Sequence, residues 1–286
     1  MPQSVVGLIG TGLLGSALAH RLVAAGHEVV GFDPDPDAQQ KLQTAGGRCA
    51  PSLTDLLAAA GDRILLCLPD SNVVEDVVKQ LKPSLAPNTV LIDTTTGEPQ
   101  RTQQLHQQLA ADGIALVEAC VLGSSEVTRT GNAVLLVSGP ATAIQQVTPL
   151  LQSISETIHK VGGPGDAQRM KLVANLVLGL NRAVLAEGLH FAQSLQLDPA
   201  AALQVLQSGA AYSKVMDAKG QKMIDRNFEP QARLRQHLKD VDLMLAEANA
   251  AGIELPLSTV HRTLLQTAQN HGHSDSDNSA IITAWD

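Results

Sequence analysis

The run Gly10-Thr11-Gly12-Leu13-Leu14-Gly15 constrains this chain more than any other feature. It follows an apolar stretch of strand length, Val5–Ile9, and opens a helical stretch, Leu14–Ala25. A second strand candidate, Glu28–Phe32, comes next and ends at Asp33. Each glycine has its own physical reason: Gly10 permits a tight turn, Gly12 lets the backbone approach a pyrophosphate, and Gly15 lets helix and sheet pack closely. The helix N-terminus then offers N–H groups and the positive end of its dipole to phosphates. The spacing alone is weak and would also suit a glycine turn without a ligand. With a strand before it, a helix after it and an acid about twenty residues on, it is the fingerprint of a dinucleotide grip.

The organisation agrees. Strand candidates continue at Arg63–Leu68, Thr89–Ile92, Ile114–Glu118, Ala133–Val137 and Thr157–Lys160, with helical stretches such as Asn72–Leu81 and Pro99–Ala111 between them. The strands read as nearly continuous apolar runs, as strands buried on both faces do. The alternation predicts a Rossmann-type doubly wound α/β unit with a parallel sheet. After Lys160 the pattern changes. Gly162, Gly163, Pro164 and Gly165 make a break. A long helix is expected from about Ala167 to Ser194, with apolar residues at helical spacing. Helices at Asp198–Gln207, Gln231–Ala251 and Pro256–Asn270 are expected to complete an all-helical second half, Asp198-Pro199 supplying an N-cap and first-turn pair. The expected domains are 1–162, for the dinucleotide, and 163–286, for substrate and oligomerisation.

Composition narrows the partners. The net charge of -8 opposes phosphate backbones and anionic membranes, and aromatics at 2% leave little for base stacking, so no nucleic acid or membrane partner is expected. The three cysteines are scattered, in no metal-binding spacing, and His271 and His273 read as a solvated pair; no metal is expected. The N-terminus shows no targeting signal, and a reducing, cytoplasmic setting is expected.

Asp33 bears on the cofactor. A carboxylate there accepts hydrogen bonds from a ribose 2′-hydroxyl and repels a 2′-phosphate. Asp35 and Asp37 add negative charge and no arginine follows, so NAD is expected over NADP, with NADP the alternative. Leu68-Pro69-Asp70 and Asp93-Thr94-Thr95-Thr96 end later strands, where ligands of such sheets sit. The hydroxyls of Thr95 and Thr96 are candidates to touch the cofactor; the alternative is that Thr96 or Gly97 caps the helix beginning near Glu98. Lys171 and Asn175 stand one turn apart on one face of the long helix, near where the two halves should meet. A partly desolvated lysine can act as a general acid or base, although a helical lysine taken alone is usually a solvated one.

Taken together these segments resemble the β-hydroxyacid dehydrogenases. The resemblance covers nearly the whole chain: Gly7 to Gly15, Leu68-Pro69-Asp70, Asp93 to Thr96, Gly165 with Lys171-Leu172-Val173-Ala174-Asn175, Ala186-Glu187-Gly188, Leu197-Asp198-Pro199, Lys239-Asp240 and Asp277 to Ala280. It implies a Rossmann domain joined by a long helix to a helical domain, assembled as a homodimer or homotetramer. It implies hydride transfer between a nicotinamide dinucleotide and a small 3-hydroxy acid or semialdehyde, Lys171 being the catalytic acid/base and Asn175 a substrate ligand. Gly10, Thr11, Gly12, Leu13, Leu14, Gly15, Asp33, Leu68, Pro69, Thr96 and Lys239 would line the cofactor site.

One stretch departs. Where the family typically has Asp-Ala-Pro-Val-Ser-Gly-Gly, this chain has Glu118-Ala119-Cys120-Val121-Leu122-Gly123-Ser124. The serine expected to hold the substrate carboxylate is Leu122. Either the substrate differs from the usual ones, or backbone amides near Gly123 and Ser124, a shifted hydroxyl from Ser124 or Ser125, or Arg129 serve instead, although Arg129 reads more readily as a surface charge than as a ligand. Glyoxylate or succinic semialdehyde reduction and a non-catalytic NAD-binding module are the alternatives. An imine reductase is a further reading, which Lys171 opposes.

Overall fold

The computed structural model describes residues 5–286. The chain forms two compact units, the first ending at Lys171 and the second being Leu172–Asp286. The division falls inside the long helix, a few residues beyond the glycine break.

In the first unit the order is β1 (Val5–Ile9), α1 (Leu13–Ala24), β2 (Glu28–Phe32), α2 (Pro36–Thr44), β3 (Arg48–Cys49), α3 (Leu53–Ala60), β4 (Arg63–Leu66) and α4 (Ser71–Leu81). It continues with β5 (Val90–Asp93), α5 (Pro99–Ala110), β6 (Ala115–Leu122), α6 (Ser125–Arg129), β7 (Val134–Ser138), α7 (Ala141–Ile154) and β8 (Thr157–Gly162). Among the described residues one eight-stranded sheet runs β3-β2-β1-β4-β5-β6-β7-β8. The apolar strands follow from burial on both faces. Val6, Leu8, Val29 and Leu65 pack with Leu18 and Leu22 on one side. Ile9, Val30, Ile64 and Leu66 pack with Leu56, Val74 and Leu105 on the other. Each such fully buried side chain contributes roughly 1.5–3 kcal/mol relative to exposure.

The winding reverses at β1, which pairs with β2 on one flank and β4 on the other. That is the switch point beyond which ligands of open sheets bind. Register brings five residues into one row, Phe32, Ile9, Leu66, Asp93 and Glu118. The predicted site segments of this unit leave from that edge.

The expectation of a wholly parallel sheet is corrected: β7 runs antiparallel to β6, pairing Val121 with Leu135 and Leu122 with Val134. The connection 123–133 holds only the short α6, whereas a parallel return needs about a dozen residues or more. The chain therefore folds back, and β8 then pairs parallel to β7 after the crossover through α7. β3 was not expected, and β6 extends four residues past Glu118.

The long helix, α8 (Asp166–Ser194), enters the second unit at Leu172, followed by α9 (Pro199–Ser208), α10 (Gln221–Ile224), α11 (Leu234–Ala250) and α12 (Pro256–Ala268). Among the described residues of this unit the only β pairing is a single bridge, Arg233 to Asp277. Asp198 caps α9 as expected, accepting from the N–H groups of Ala200 at 3.1 Å and Ala201 at 3.3 Å. Leu172, Leu185 and Leu189 pack with Leu234, Val241, Met244 and Leu265. The C-terminal segment is anchored by Asp277, which accepts from Lys219 Nζ at 2.8 and 2.9 Å and from the Gln231 and Ser279 amides. Burial alone would raise the Asp277 carboxyl; the Lys219 ammonium and those amides reverse this and hold it at about 2. By length and composition α8 is apolar enough to cross a membrane. Here its inward face carries the wholly buried Arg182 and joins the core just described.

Candidate active site

The glycine loop is built by two different constraints. Gly10 has φ +90°, and a Cβ there would run into the Cys67 carbonyl oxygen; a Cβ on Gly15 would run into the carbonyl of Gly10. Packing demands both glycines. A Cβ on Gly12 would meet nothing within 4 Å, so the protein itself gives no reason for that glycine. Gly12 is also the N-cap of α1, which has no side-chain cap and no acidic residue in its first turn. An uncapped helix N-terminus beside open space fits a dinucleotide pyrophosphate. Leu13 and Leu14 form the first turn, half-buried.

Asp33 follows β2. Its Oδ2 accepts from the Thr11 N–H at 2.7 Å and its Oδ1 from the Asp35 N–H at 3.0 Å. The carboxylate thus shapes the glycine loop from across the switch point. Thr11 is fully buried and its hydroxyl donates to the Ala38 carbonyl, so its N–H and hydroxyl are both committed to the protein. Leu68 and Pro69 follow β4. The Leu68 N–H donates to Thr95 Oγ1 at 3.0 Å, which ties the ends of β4 and β5 together. Thr95 is therefore occupied structurally. Thr96 is half-buried in the loop 94–98. Capping by Thr96 or Gly97 is corrected: the N-cap of α5 is Glu98, whose N–H donates to Ser71 Oγ.

Lys171 lies near the start of α8, 9% exposed, with its ammonium donating to the Val121 carbonyl on β6. Gly123 and Ser124 follow the end of that strand. Gly123 has φ +151°, and a Cβ would press on Val127 and Ala133. Ser124 Oγ caps α6, accepting from the Val127 N–H at 3.3 Å. Leu122 packs against the apolar group of Cys120, Leu136 and Ala167. Arg129 sits at the end of α6, 41% exposed, 3.9 Å from Glu126, which is the surface arrangement. The Cys67 thiol is pushed up to about 12 by burial, so it is no nucleophile at neutral pH.

In the second unit Asn175 and Lys239 meet at one carboxylate. Asn175 Nδ2 donates to Asp240 Oδ2 at 2.9 Å, and Lys239 Nζ lies 3.4 Å from Asp240 Oδ1. Asp240, 6% exposed, had no assigned role from sequence, although its position beside a candidate lysine was the available signal. Glu118 and Gln168 were missed likewise. Glu118, fully buried, accepts from the Gly165 and Gln168 amides and lies 3.6 Å from His106 Nε2.

Comparison with known proteins accords with this geometry. Residues 5–163 match the family model described as the NAD binding domain of 6-phosphogluconate dehydrogenase, and residues 165–285 match that described as the NAD-binding of NADP-dependent 3-hydroxyisobutyrate dehydrogenase. The 2-hydroxy-3-oxopropionate reductase of Escherichia coli is 30% identical over 98% of this chain and 96% of its own length. The chain belongs to the β-hydroxyacid dehydrogenase family. Two solved structures share the fold of this dehydrogenase. The 3-hydroxyisobutyrate dehydrogenase of Salmonella typhimurium has a TM-score of 0.90 at 22% identity, covering 98% of this chain and 99% of that one. The protein Psf3, in complex with NADP+ and 2-OPP, has a TM-score of 0.90 at 26% identity, covering 98% and 100%. As a β-hydroxyacid dehydrogenase the chain is an NAD(P)-dependent oxidoreductase acting on the CH–OH group of a small hydroxy acid or on its semialdehyde.

Proposed function

We propose that the enzyme prefers NAD and interconverts a small 3-hydroxy acid with its semialdehyde, Lys171 serving as the acid/base. The observation that carries this reading is the lysine's place. It is nearly buried and donates to the Val121 carbonyl near the end of β6, on the sheet edge that also bears the glycine loop. The bound nicotinamide supplies or takes up the hydride. Lys171 takes the hydroxyl proton in oxidation and returns it in reduction. Asn175, whose amide nitrogen is held by Asp240, presents its carbonyl oxygen to a substrate hydroxyl. Gly12 and the first turn of α1, with Leu13 and Leu14, receive the pyrophosphate. Leu68, Pro69 and Thr96 flank the dinucleotide. Leu122 offers no hydroxyl, so the backbone at Gly123 and Ser124 receives the substrate carboxylate.

The first substrate pair to examine is 2-hydroxy-3-oxopropionate with glycerate, because the Escherichia coli relative is named for the former. A panel with 3-hydroxyisobutyrate, 3-hydroxypropionate, glyoxylate and succinic semialdehyde, run in both directions with both dinucleotides, tests the reading. Turnover with none of them would remove this substrate assignment. In the same panel NAD is expected to exceed NADP in kcat/KM by at least about tenfold, about 1.4 kcal/mol. The reason is that the Asp33 carboxylate is pinned at the end of β2 with Asp35 and Asp37 beside it. Asp33→Asn should narrow the gap, and a wild-type preference for NADP would refute the assignment.

The second unit leaves Val173, Val177, Val184 and Phe191 of α8 each more than half exposed. This apolar stripe supports assembly with a second copy of the chain, as a homodimer or homotetramer. Light scattering is expected to give the mass of two or four chains, and a monomer at micromolar concentration would contradict it. A cytoplasmic setting remains part of the proposal; the three free thiols are consistent with it.

A further inference from the structure

The first turn of α8 is capped from the sheet. Asp166 donates locally to the Gly163 carbonyl, but the Ala167 N–H donates to Ser138 Oγ at 3.1 Å and the Gln168 N–H to Glu118 Oε2 at 3.2 Å. The groups a helix normally leaves unpaired are here claimed by β6 and β7. The sheet therefore decides where α8 begins and which way Lys171 points.

Gln168 adds a second fastening to the opposite flank. Its side chain is wholly buried. Oε1 accepts from the Gly97 N–H at 2.9 Å, and Nε2 donates to the Thr95 carbonyl at 2.8 Å. One carboxamide thus holds two backbone groups of the loop 94–98. That loop is joined through Thr95 Oγ1 to Leu68 at the end of β4. A continuous hydrogen-bonded path runs from Leu68 through Thr95 and Gln168 to the helix that carries Lys171. The chemistry selects glutamine: ionised glutamate cannot donate to Thr95, lysine and arginine cannot accept from Gly97, and methionine cannot donate and accepts only weakly.

We propose that Gln168 is a positioning residue for the redox step, setting Lys171 against the Thr95–Gly97 loop and Leu68 that flank the dinucleotide. This rests on the reading of Lys171 as acid/base. Misplacement of a reacting group by about 1 Å can cost on the order of a hundredfold in rate. A purely structural glutamine would affect only stability, since it would merely satisfy two buried backbone groups.

The test uses full-length Gln168→Met and Gln168→Glu. Saturated kcat is expected to fall about ten- to a hundredfold, with dinucleotide Kd held within about threefold. The primary deuterium isotope effect on kcat, measured with reduced dinucleotide labelled at the transferred position, is expected to rise as hydride transfer becomes slower. Unchanged kcat and isotope effect with a lowered Tm would overturn the proposal, as would a rate loss that merely tracks weaker dinucleotide binding. If the methionine variant fails to fold, Gln168→Glu and Gln168→Asn carry the same criteria. Lys171→Ala, assayed beside them, separates the two ideas. A dead Lys171→Ala with a normal Gln168→Met removes the positioning role alone. An active Lys171→Ala removes the acid/base reading and, with it, the target that Gln168 is proposed to position.

Discussion

Lys171→Ala is expected to lower kcat/KM by about a hundred- to ten-thousandfold, the range typical of a lost general acid or base, while dinucleotide affinity stays near wild type. The asymmetry follows from the geometry. Everything proposed to hold the pyrophosphate lies at β1 and α1, whereas the lysine's observed partner is the carbonyl of Val121 on β6. A backbone carbonyl can accept from the ammonium but cannot take its proton, so the bond orients the amine without discharging it. Lys171→Arg should not restore the rate: the charge and much of the reach survive, but a guanidinium stays protonated throughout the working range and cannot serve as the base. Titrating dinucleotide binding by fluorescence beside steady-state turnover checks both halves. Turnover within about threefold of wild type in a Lys171→Ala protein that binds dinucleotide would exclude the lysine from the proton transfer.

The parts of the fold visible in the sequence are those set by neighbours along the chain. The first two strands occupy the predicted residues, and α8 begins one residue before its predicted start, because apolar periodicity and a glycine break are local signals. β3 escaped because two residues, Arg48 and Cys49, cannot display a period. The reversal of β7 escaped because an apolar strand reads the same in either direction; only the length of 123–133 hinted at it. The site divides in the same way. The glycine loop and Asp33 announce themselves by spacing, whereas Lys171 and Asn175 stand out only through the family resemblance. The groups around them do not: Glu118 meets Gly165, Gln168 meets Thr95, and Asp240 meets Asn175, each across a long stretch of sequence. Such contacts exist only once the strands are assembled, and no periodicity encodes them.

The glycine loop allows folding and binding to be separated within six residues. Gly15→Ala is expected to destabilise or misfold the first unit, because its Cβ would enter the Gly10 carbonyl, a backbone atom with no rotamer to yield. Gly12→Ala is expected to leave Tm within about 2 °C of wild type: φ -61° is open to alanine and the new methyl meets no protein atom, so alanine's poorer N-cap preference is the one small cost. Its consequence should appear only with ligand. The methyl stands where the pyrophosphate must approach the first turn of α1, and dinucleotide affinity should fall at least about tenfold, or 1.4 kcal/mol. Thermal unfolding of both variants with and without NAD reads the two effects together. Wild type should gain stability from ligand by mass action, and Gly12→Ala should lose most of that gain while its ligand-free curve is unmoved. A Gly12→Ala protein still stabilised as strongly as wild type would mean that the open space beside Gly12 is not the pyrophosphate site, and the dinucleotide would then have to be placed elsewhere on the sheet edge.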